Sequence, residues 1–233
     1  MTWQAHAIAG GDYSQRIDFL GDFSIAFNEM AERLGVVLGE LRTRERQLND
    51  MNDSLRAAQT KLREQASHDP LTGLLNRRFL SERWTAETAR SRRNGKPITV
   101  LVADLDTFKS TNDTYGHETG DAVLINFAET LTGQLRQSDI ACRLGGDEFA
   151  MLLPETTLED GAATANRIRD AFERTDLASS PGSCPHTASI GAAAYPTHGE
   201  TLEAVLRAAD EALYEGKAGG RNRVVAATCE MRV

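Results

Sequence analysis

The chain has 233 residues, of which 40% are hydrophobic, and its net charge is −8 at pH 7. This length and apolar content suffice for a globular domain with one core, and the acidic balance argues against nucleic-acid binding, which requires a basic face. The sequence lacks both a run of roughly 20 uninterrupted apolar residues and a secretory signal, so we expect no membrane span in this chain and a cytoplasmic location.

Residues 1–33 contain a glycine break and then a periodic apolar stretch. The pattern AGGDYSQRIDFLGDFSIAFNEMAERL is similar to the second half of a HAMP-type signal-relay segment. This resemblance implies a sensor domain placed before this chain, and whether Met1 is a truncated start stays open. The protein would then be tethered to a membrane only if the upstream region anchors it.

Leucine recurs every seven residues in the next segment, at Leu34, Leu41, Leu48, Leu55 and Leu62. Further apolar residues lie three places after three of these leucines. A seam repeated over more than four heptads predicts a dimeric coiled coil over residues 34–66, with a second copy of the chain as partner. A single amphipathic helix docked on its own domain is the alternative.

From residue 67 to 228 the composition is that of a compact α/β domain. Helices are predicted over 76–94, 119–136, 158–174 and 201–218. Strands are predicted over 98–103, 139–144, 148–153 and 186–194. The order β-α-β-β-α-β-α predicts an α+β, ferredoxin-like fold with a mixed, antiparallel-containing sheet flanked by helices. The run Ile98 to Ala103 is almost entirely apolar, which indicates a strand buried on both faces.

Two acids follow this buried strand. Asp104 and Asp106 are two residues apart, so both side chains point to the same face of a strand. Acids buried without partners are costly, and a Mg²⁺ or Mn²⁺ site is one way to compensate them. Capping of the following turn is the alternative.

A second acidic cluster lies in the sequence Gly145-Gly146-Asp147-Glu148-Phe149. The glycines predict a hairpin turn that a ligand can approach closely. If this hairpin pairs beside the buried strand, Asp147 and Asp104 converge on a divalent-metal site suited to phosphoryl transfer. A Gly-Gly-Asp turn alone is an ordinary hairpin in most proteins.

Five motifs together carry a resemblance to a known family. They are DPLTGLLNRR at 69–78, DLDTFKSTND at 104–113, GHETGD at 116–121, RLGGDEFA at 143–150 and ALYEGKAGGRNRV at 212–224. Residues 67–226 resemble the GGDEF domain family of diguanylate cyclases. The resemblance implies a nucleotidyl-cyclase palm and an enzyme that condenses two GTP molecules into cyclic di-GMP, releasing two pyrophosphates.

The resemblance also implies roles for individual residues. Asp104, the backbone carbonyl of Leu105 and Asp147 look like the ligands of two Mg²⁺ or Mn²⁺ ions per half-site. Glu148 would assist the metal ions or the proton transfer, and which of Asp147 and Glu148 acts as the base stays open. Further candidate residues are Asn112 and Asp121 for guanine, His117 beside the nucleotide, and Lys109, Lys217 and Arg221 for phosphate.

Ordinary structural roles remain as alternatives for the cations. Lys217 and Arg221 could simply end a helix, and Lys109 could be a solvated loop lysine. Arg136 and Asp139 fit the RxxD pattern at which the family binds its product as an inhibitor. A helix-end arginine and a strand-start aspartate are the alternative for that pair.

Two identical linkages in the product call for two facing half-sites, so the resemblance implies a homodimer through the coiled coil. A catalytically silent module that senses GTP or cyclic di-GMP is the alternative function. The retained Asp104, Asp147 and Glu148 favour the enzyme, because silent members of the family usually lose these acids.

Overall fold

The computed structural model describes residues 6–7, 9–12, 22–65, 67–175 and 186–228, excluding the side chains of 22–24, 57 and 59–65. The chain divides into two compact units, Met1–Arg63 and Glu64–Val233. Much of the HAMP-like segment predicted for residues 1–33 lies outside the described residues.

The first unit is dominated by one long helix, α1, which spans Asp22–Gln65. At 1.5 Å per residue its 44 residues extend about 66 Å. The apolar seam is exposed along this helix, with exposed fractions that rise from 42% at Leu34 to 67% at Leu48 and 69% at Met51. The long helix predicted from the heptads is therefore confirmed, whereas its pairing with a second chain stays a prediction.

The second unit is built on a mixed six-stranded sheet in the order β1-β3-β4-β2-β5-β6. The strands are β1 Leu75–Asn76, β2 Ile98–Leu105, β3 Ile140–Gly145, β4 Glu148–Pro154, β5 Ala188–Tyr195 and β6 Val224–Ala226. The four central strands pair antiparallel, and the short edge strands β1 and β6 pair parallel to their neighbours. The predicted fold class is confirmed.

Five helices belong to this unit: α2 Arg77–Asn94, α3 Phe108–Tyr115, α4 His117–Gln134, α5 Leu158–Glu173 and α6 Leu202–Ala218. The helix predicted over 119–136 is present as α4, His117–Gln134. An additional helix, α3, precedes α4, and the two are separated at Gly116, whose φ angle of +84° favours a glycine. None of the described helices is long and apolar enough to cross a bilayer.

The core has two layers, one on each face of the sheet. Leu101, Ala103 and Leu105 of β2 pack with α4 and α5 on one face, whereas alternate residues pack with α2 and α6 on the other. This two-sided burial explains the continuous apolar run in the sequence. Phe127 packs edge-on against Phe149, with ring centroids 4.9 Å apart, so the start of β4 is anchored in the core.

Candidate active site

The GGDEF turn joins β3 to β4 in a hairpin whose geometry depends on its glycines. Gly145 and Gly146 have φ angles of +149° and +56°, in regions that residues with a Cβ rarely adopt. The strand pairing shifts at a bulge between Arg143 and Gly145, after which Gly145 lies opposite Glu148. The hairpin thus presents Asp147 and Glu148 at its tip.

These acids lie beside Asp104 at the end of β2. Strands β2 and β4 pair antiparallel, and Asp104 is directly opposite Glu148 in that register. The N–H of Leu105 donates to the backbone carbonyl of Asp147 at 3.4 Å, which connects the turn to the same strand end. The hairpin therefore pairs beside the buried strand, as the convergence of the acids requires.

The electrostatics of this cluster favour a bound cation. Burial raises the pKa of Asp104, and the charges of Asp147 and Glu148 raise it as well, against an opposing effect from Lys217. The ammonium of Lys217, in the last turn of α6, donates to Oδ2 of Asp104 at 2.7 Å. Lys217, which the resemblance assigns to phosphate, thus contacts a predicted metal ligand in this structure.

The donor set suits a hard divalent cation. In the part of the chain that the structure describes, no three acidic, histidine or cysteine side chains form a ready-made metal cage. Mg²⁺ usually keeps several waters and binds through one or two carboxylates together with substrate phosphates. Asp104, Asp147 and the carbonyl of Leu105 carry oxygen donors of that kind, so the residues fit an ion shared with a nucleotide.

Asp106 has different surroundings from Asp104. The residue is 7% exposed, and its carboxylate accepts hydrogen bonds from the hydroxyls of Thr187 (2.8 Å) and Ser189 (2.7 Å). It also accepts from the backbone N–H of Asn222 at 2.9 Å. The two acids therefore have different partners, and the donors to Asp106 come from β5, the residue before it and the loop after α6.

Asn112 on α3 occupies a pocket that lacks a partner for its side-chain oxygen. Its Oδ1 is buried and makes no hydrogen bond within the described part of the chain. A Cβ placed on Gly120 of α4 would lie 1.8 Å from this oxygen. The side chain of Asn112 therefore fits only because residue 120 is a glycine. A buried, unsatisfied amide oxygen suits a ligand with N–H donors, as on the edge of guanine.

The remaining predicted nucleotide residues lie on the same pair of helices or on the loop after α6. Lys109 is on α3, His117 and Asp121 are on α4, and all three are exposed. Arg221 is exposed in the loop between α6 and β6 and has a φ angle of +61°.

The predicted inhibitory residues form a tight turn before β3. The N–H of Arg136 donates to the carboxylate of Asp139 at 2.9 Å, and the N–H of Asp139 donates back to the carbonyl of Arg136 at 3.0 Å. Both residues line a cavity of about 410 Å³ with His68 and Leu135. The six-residue strand β3, roughly 20 Å long, leads from this turn to the GGDEF turn.

One contact of the site was missed by the sequence analysis. Arg143 donates from Nε (3.0 Å) and Nη2 (2.7 Å) to the carbonyl of Gly146, and from Nη1 (3.0 Å) to Asp69. Asp69 also accepts from the N–H (2.8 Å) and hydroxyl (2.7 Å) of Thr72. Both Asp69 and Arg143 lie in motifs that carry the family resemblance, and this was the available signal.

The chain is similar to known proteins over most of its length. The family model described as "Diguanylate cyclase, GGDEF domain" matches residues 66–223. Response regulator PleD of Caulobacter vibrioides is 37% identical over 204 residues, covering 84% of this chain and 42% of that protein. Diguanylate cyclase DosC of Escherichia coli is 43% identical over 163 residues, covering 70% of this chain and 35% of that protein.

Solved structures give the same result. The coiled coil and GGDEF domain of DgcB from Caulobacter crescentus, in complex with c-di-GMP, is 33% identical with a TM-score of 0.70. This match covers 80% of the present chain and 99% of that one. The chain spans about two fifths of the length of the curated relatives that it matches. On the family model, the relatives and the shared fold, the chain belongs to the GGDEF domain family.

Proposed function

We propose that this chain is a diguanylate cyclase that condenses two GTP molecules into cyclic di-GMP and releases two pyrophosphates. The observation that carries the proposal is that Asp104 lies beside Asp147 and Glu148 at one end of the sheet. The pKa of Asp104 is raised there, and its carboxylate pairs with the ammonium of Lys217. Such a cluster suits transfer of a nucleotidyl group, in which metal ions neutralise charge on the phosphates.

Asp104, the carbonyl of Leu105 and Asp147 would hold two Mg²⁺ or Mn²⁺ ions per half-site, with Glu148 beside them. The ions would supply charge neutralisation at the α-phosphate and the departing pyrophosphate. With a metal ion on Asp104, the Lys217 ammonium would be free to contact the phosphates. Its contact with Asp104 in this structure is therefore compatible with the phosphate role that the resemblance implies.

The guanine base would occupy the space next to Asn112. Its N–H groups would satisfy the buried Oδ1, with Asp121 and His117 nearby on α4. Adenine presents a different pattern of donors and acceptors, so this pairing would favour GTP over ATP. Lys109 and Arg221 would join Lys217 in binding the phosphates.

Each GTP would contribute the 3′-hydroxyl that attacks the α-phosphate of the other. Asp147 or Glu148 would accept the hydroxyl proton, and both are placed at the hairpin tip where an incoming hydroxyl can reach them. Two half-sites must face each other for both linkages to form, which requires two copies of the chain.

The exposed seam of α1 supports the homodimer. Leu34, Leu41, Leu48 and Leu55 are all at least 42% exposed, and a parallel partner helix would cover them while raising the effective concentration of the second domain. The double variant Leu48→Asp/Leu55→Asp should lose most turnover but keep GTP binding per domain.

A matched control, Thr43→Asp/Asn49→Asp, adds the same charge away from the seam and should retain activity. Unchanged turnover by the seam variant, in a preparation shown by sedimentation to be monomeric, would rule out the dimer requirement.

Arg136 and Asp139 would bind the product and inhibit the enzyme. Their turn lines a cavity at the opposite end of β3 from the acids, so bound product would leave the catalytic residues unobstructed. A guanidinium can bind phosphate through two hydrogen bonds and stack on a guanine face.

The test of the function is product formation by the nucleotide-free chain with GTP and Mg²⁺, followed by chromatography. The variant Asp147→Ala/Glu148→Ala should form no cyclic di-GMP, whereas Asp210→Ala/Glu211→Ala, which removes two exposed acids of α6, should remain active. The silent-sensor alternative predicts metal-dependent GTP binding without product in both the unmodified chain and the Asp210→Ala/Glu211→Ala variant.

A further inference from the structure

The loop between α6 and β6 is held in a conformation that its residues rarely adopt. Arg221 and Asn222 have φ angles of +61° and +47°, in the left-handed region. Asparagine tolerates this region better than arginine does, and neither residue has the freedom of glycine. Neighbouring contacts must therefore fix the backbone that carries Arg221.

Asp106 supplies one of these contacts from the end of β2. Its Oδ2 accepts the N–H of Asn222 at 2.9 Å and the hydroxyl of Thr187 at 2.8 Å, while its Oδ1 accepts the hydroxyl of Ser189 at 2.7 Å. Both oxygens are therefore engaged by donors, which occupy three of the roughly four lone-pair sites of the carboxylate. The acid connects β2, β5 and the loop at a point that is almost completely buried.

Helix α5 supplies further contacts, through the side chain of Asn222, and the N–H of Arg221 itself donates to the carbonyl of Gly216 in α6 at 3.1 Å. Arg169 Nη1 donates to Oδ1 of Asn222 at 2.9 Å, and Nδ2 of Asn222 donates to Glu173 at 2.8 Å. Arg169 and Glu173 also pair with each other at 3.0 Å. Asn222 is thus fixed through its backbone by Asp106 and through its side chain by α5.

We propose that Asp106 is a positioning residue, which anchors the backbone of Asn222 and so directs the adjacent Arg221 towards the phosphates of the nucleotide. The proposal rests on the proposed function, because it requires Arg221 to bind phosphate. The two acids then have separate roles: Asp104, within β2, belongs to the metal and Lys217 cluster, and Asp106, directly after β2, holds the loop that carries Arg221.

The test is a double-mutant cycle of Asp106→Asn and Arg221→Ala. The amide of Asp106→Asn replaces one acceptor oxygen with a donor, so at least one of the hydrogen bonds that Asp106 accepts is lost. The ligand is 3′-deoxy-GTP with Mg²⁺, which lacks the attacking hydroxyl and therefore reports binding without turnover. Each single variant should bind it about 10-fold more weakly, as expected for one lost hydrogen bond to a charged group.

The double variant should bind no more weakly than Arg221→Ala alone, because Asp106 acts through Arg221. The Mg²⁺ concentration that gives half-maximal binding of 3′-deoxy-GTP should be the same in Asp106→Asn as in the unmodified chain. The control Asp210→Asn, an exposed acid of α6, should bind normally. Additive losses, a shifted Mg²⁺ requirement or unimpaired binding by Arg221→Ala would each overturn the proposal.

Asn222→Gly provides a second variant should Asp106→Asn fail to fold. Glycine keeps the left-handed backbone and the N–H to Asp106 but removes the bridge to α5. Asn222→Gly should weaken binding of 3′-deoxy-GTP in the unmodified chain but cause no further weakening when Arg221 is already alanine. A further weakening in the Arg221→Ala variant would contradict the positioning role. If the unmodified chain binds 3′-deoxy-GTP tightly but forms no product from GTP, the proposed function fails while the positioning result stands.

Discussion

The contact between Arg143 and the GGDEF turn predicts that Arg143→Ala impairs both the stability and the activity of the domain. The guanidinium makes two hydrogen bonds to the Gly146 carbonyl and one to Asp69, and the side chains of Arg143 and Asp69 are 13% and 19% exposed. Alanine removes all three bonds while leaving the strand pairing of β3 intact.

The magnitude follows from the geometry. Hydrogen bonds to charged groups contribute roughly 1.5–3 kcal/mol each, but two of these bonds share one acceptor, and Gly146 is exposed enough to bind water instead. We therefore expect a loss of about 2–3 kcal/mol in the free energy of unfolding. Displacement of the turn by about 1 Å would also lower turnover by up to about 100-fold.

Chemical denaturation of Arg143→Ala, together with its rate of cyclic di-GMP formation at saturating GTP, measures both effects. The control is Arg83→Ala, an exposed arginine in the middle of α2, which should change stability by less than about 1 kcal/mol. Wild-type stability and turnover in Arg143→Ala would show that the glycines alone set the turn, and the reasoning from the arginine contact would then be wrong.

Three further predictions concern separate parts of the domain. Gly120→Ala should displace the Asn112 side chain, because the added Cβ would lie 1.8 Å from Oδ1, and calorimetry should show GTP affinity reduced at least about 10-fold. Arg136→Ala should keep the initial rate but remove the slowing of progress curves as product accumulates; slowing equal to wild type would contradict the inhibitory site. Burial lowers the pKa of His186 in the folded chain. As the pH falls below about 6.5, His186 is therefore protonated more readily in the unfolded chain than in the folded chain, and the free energy of unfolding decreases. In urea unfolding, the free energy of unfolding of His186→Phe should fall less steeply with decreasing pH than that of the unmodified chain, by at most about 1.4 kcal/mol per pH unit. An identical slope in the two proteins would refute the role of His186.

The sequence predicted the features of the fold that depend on local patterns. The apolar run of β2, the glycine turn and the heptads of α1 each follow from spacing along the chain, and the structure contains all three elements. Helix α3 was missed because it has eight residues and begins after Thr107, whose φ angle is +60°, so no repeating apolar pattern marks it. The edge strands β1 and β6 are two and three residues long, too short for an alternating pattern.

Contacts between distant positions were beyond the sequence patterns. Arg143 and Asp69 are 74 residues apart, and the Asn222 N–H reaches Asp106 across 116 residues. Spacing placed Asp104 and Asp106 as equivalent acids on one strand, but only the packing of β5 and the loop after α6 distinguishes their partners. The convergence of Asp104 with the hairpin acids was predictable because it required a single pairing of neighbouring strands.

The central claim, metal-dependent condensation of two GTP molecules at facing copies of this site, is tested most directly by counting products. The nucleotide-free chain is incubated with GTP, with and without Mg²⁺, and both cyclic di-GMP and pyrophosphate are quantified. The account predicts two pyrophosphates for every cyclic di-GMP, and neither product without the metal ion. A verified dimer that binds GTP with Mg²⁺ but releases no pyrophosphate would contradict it.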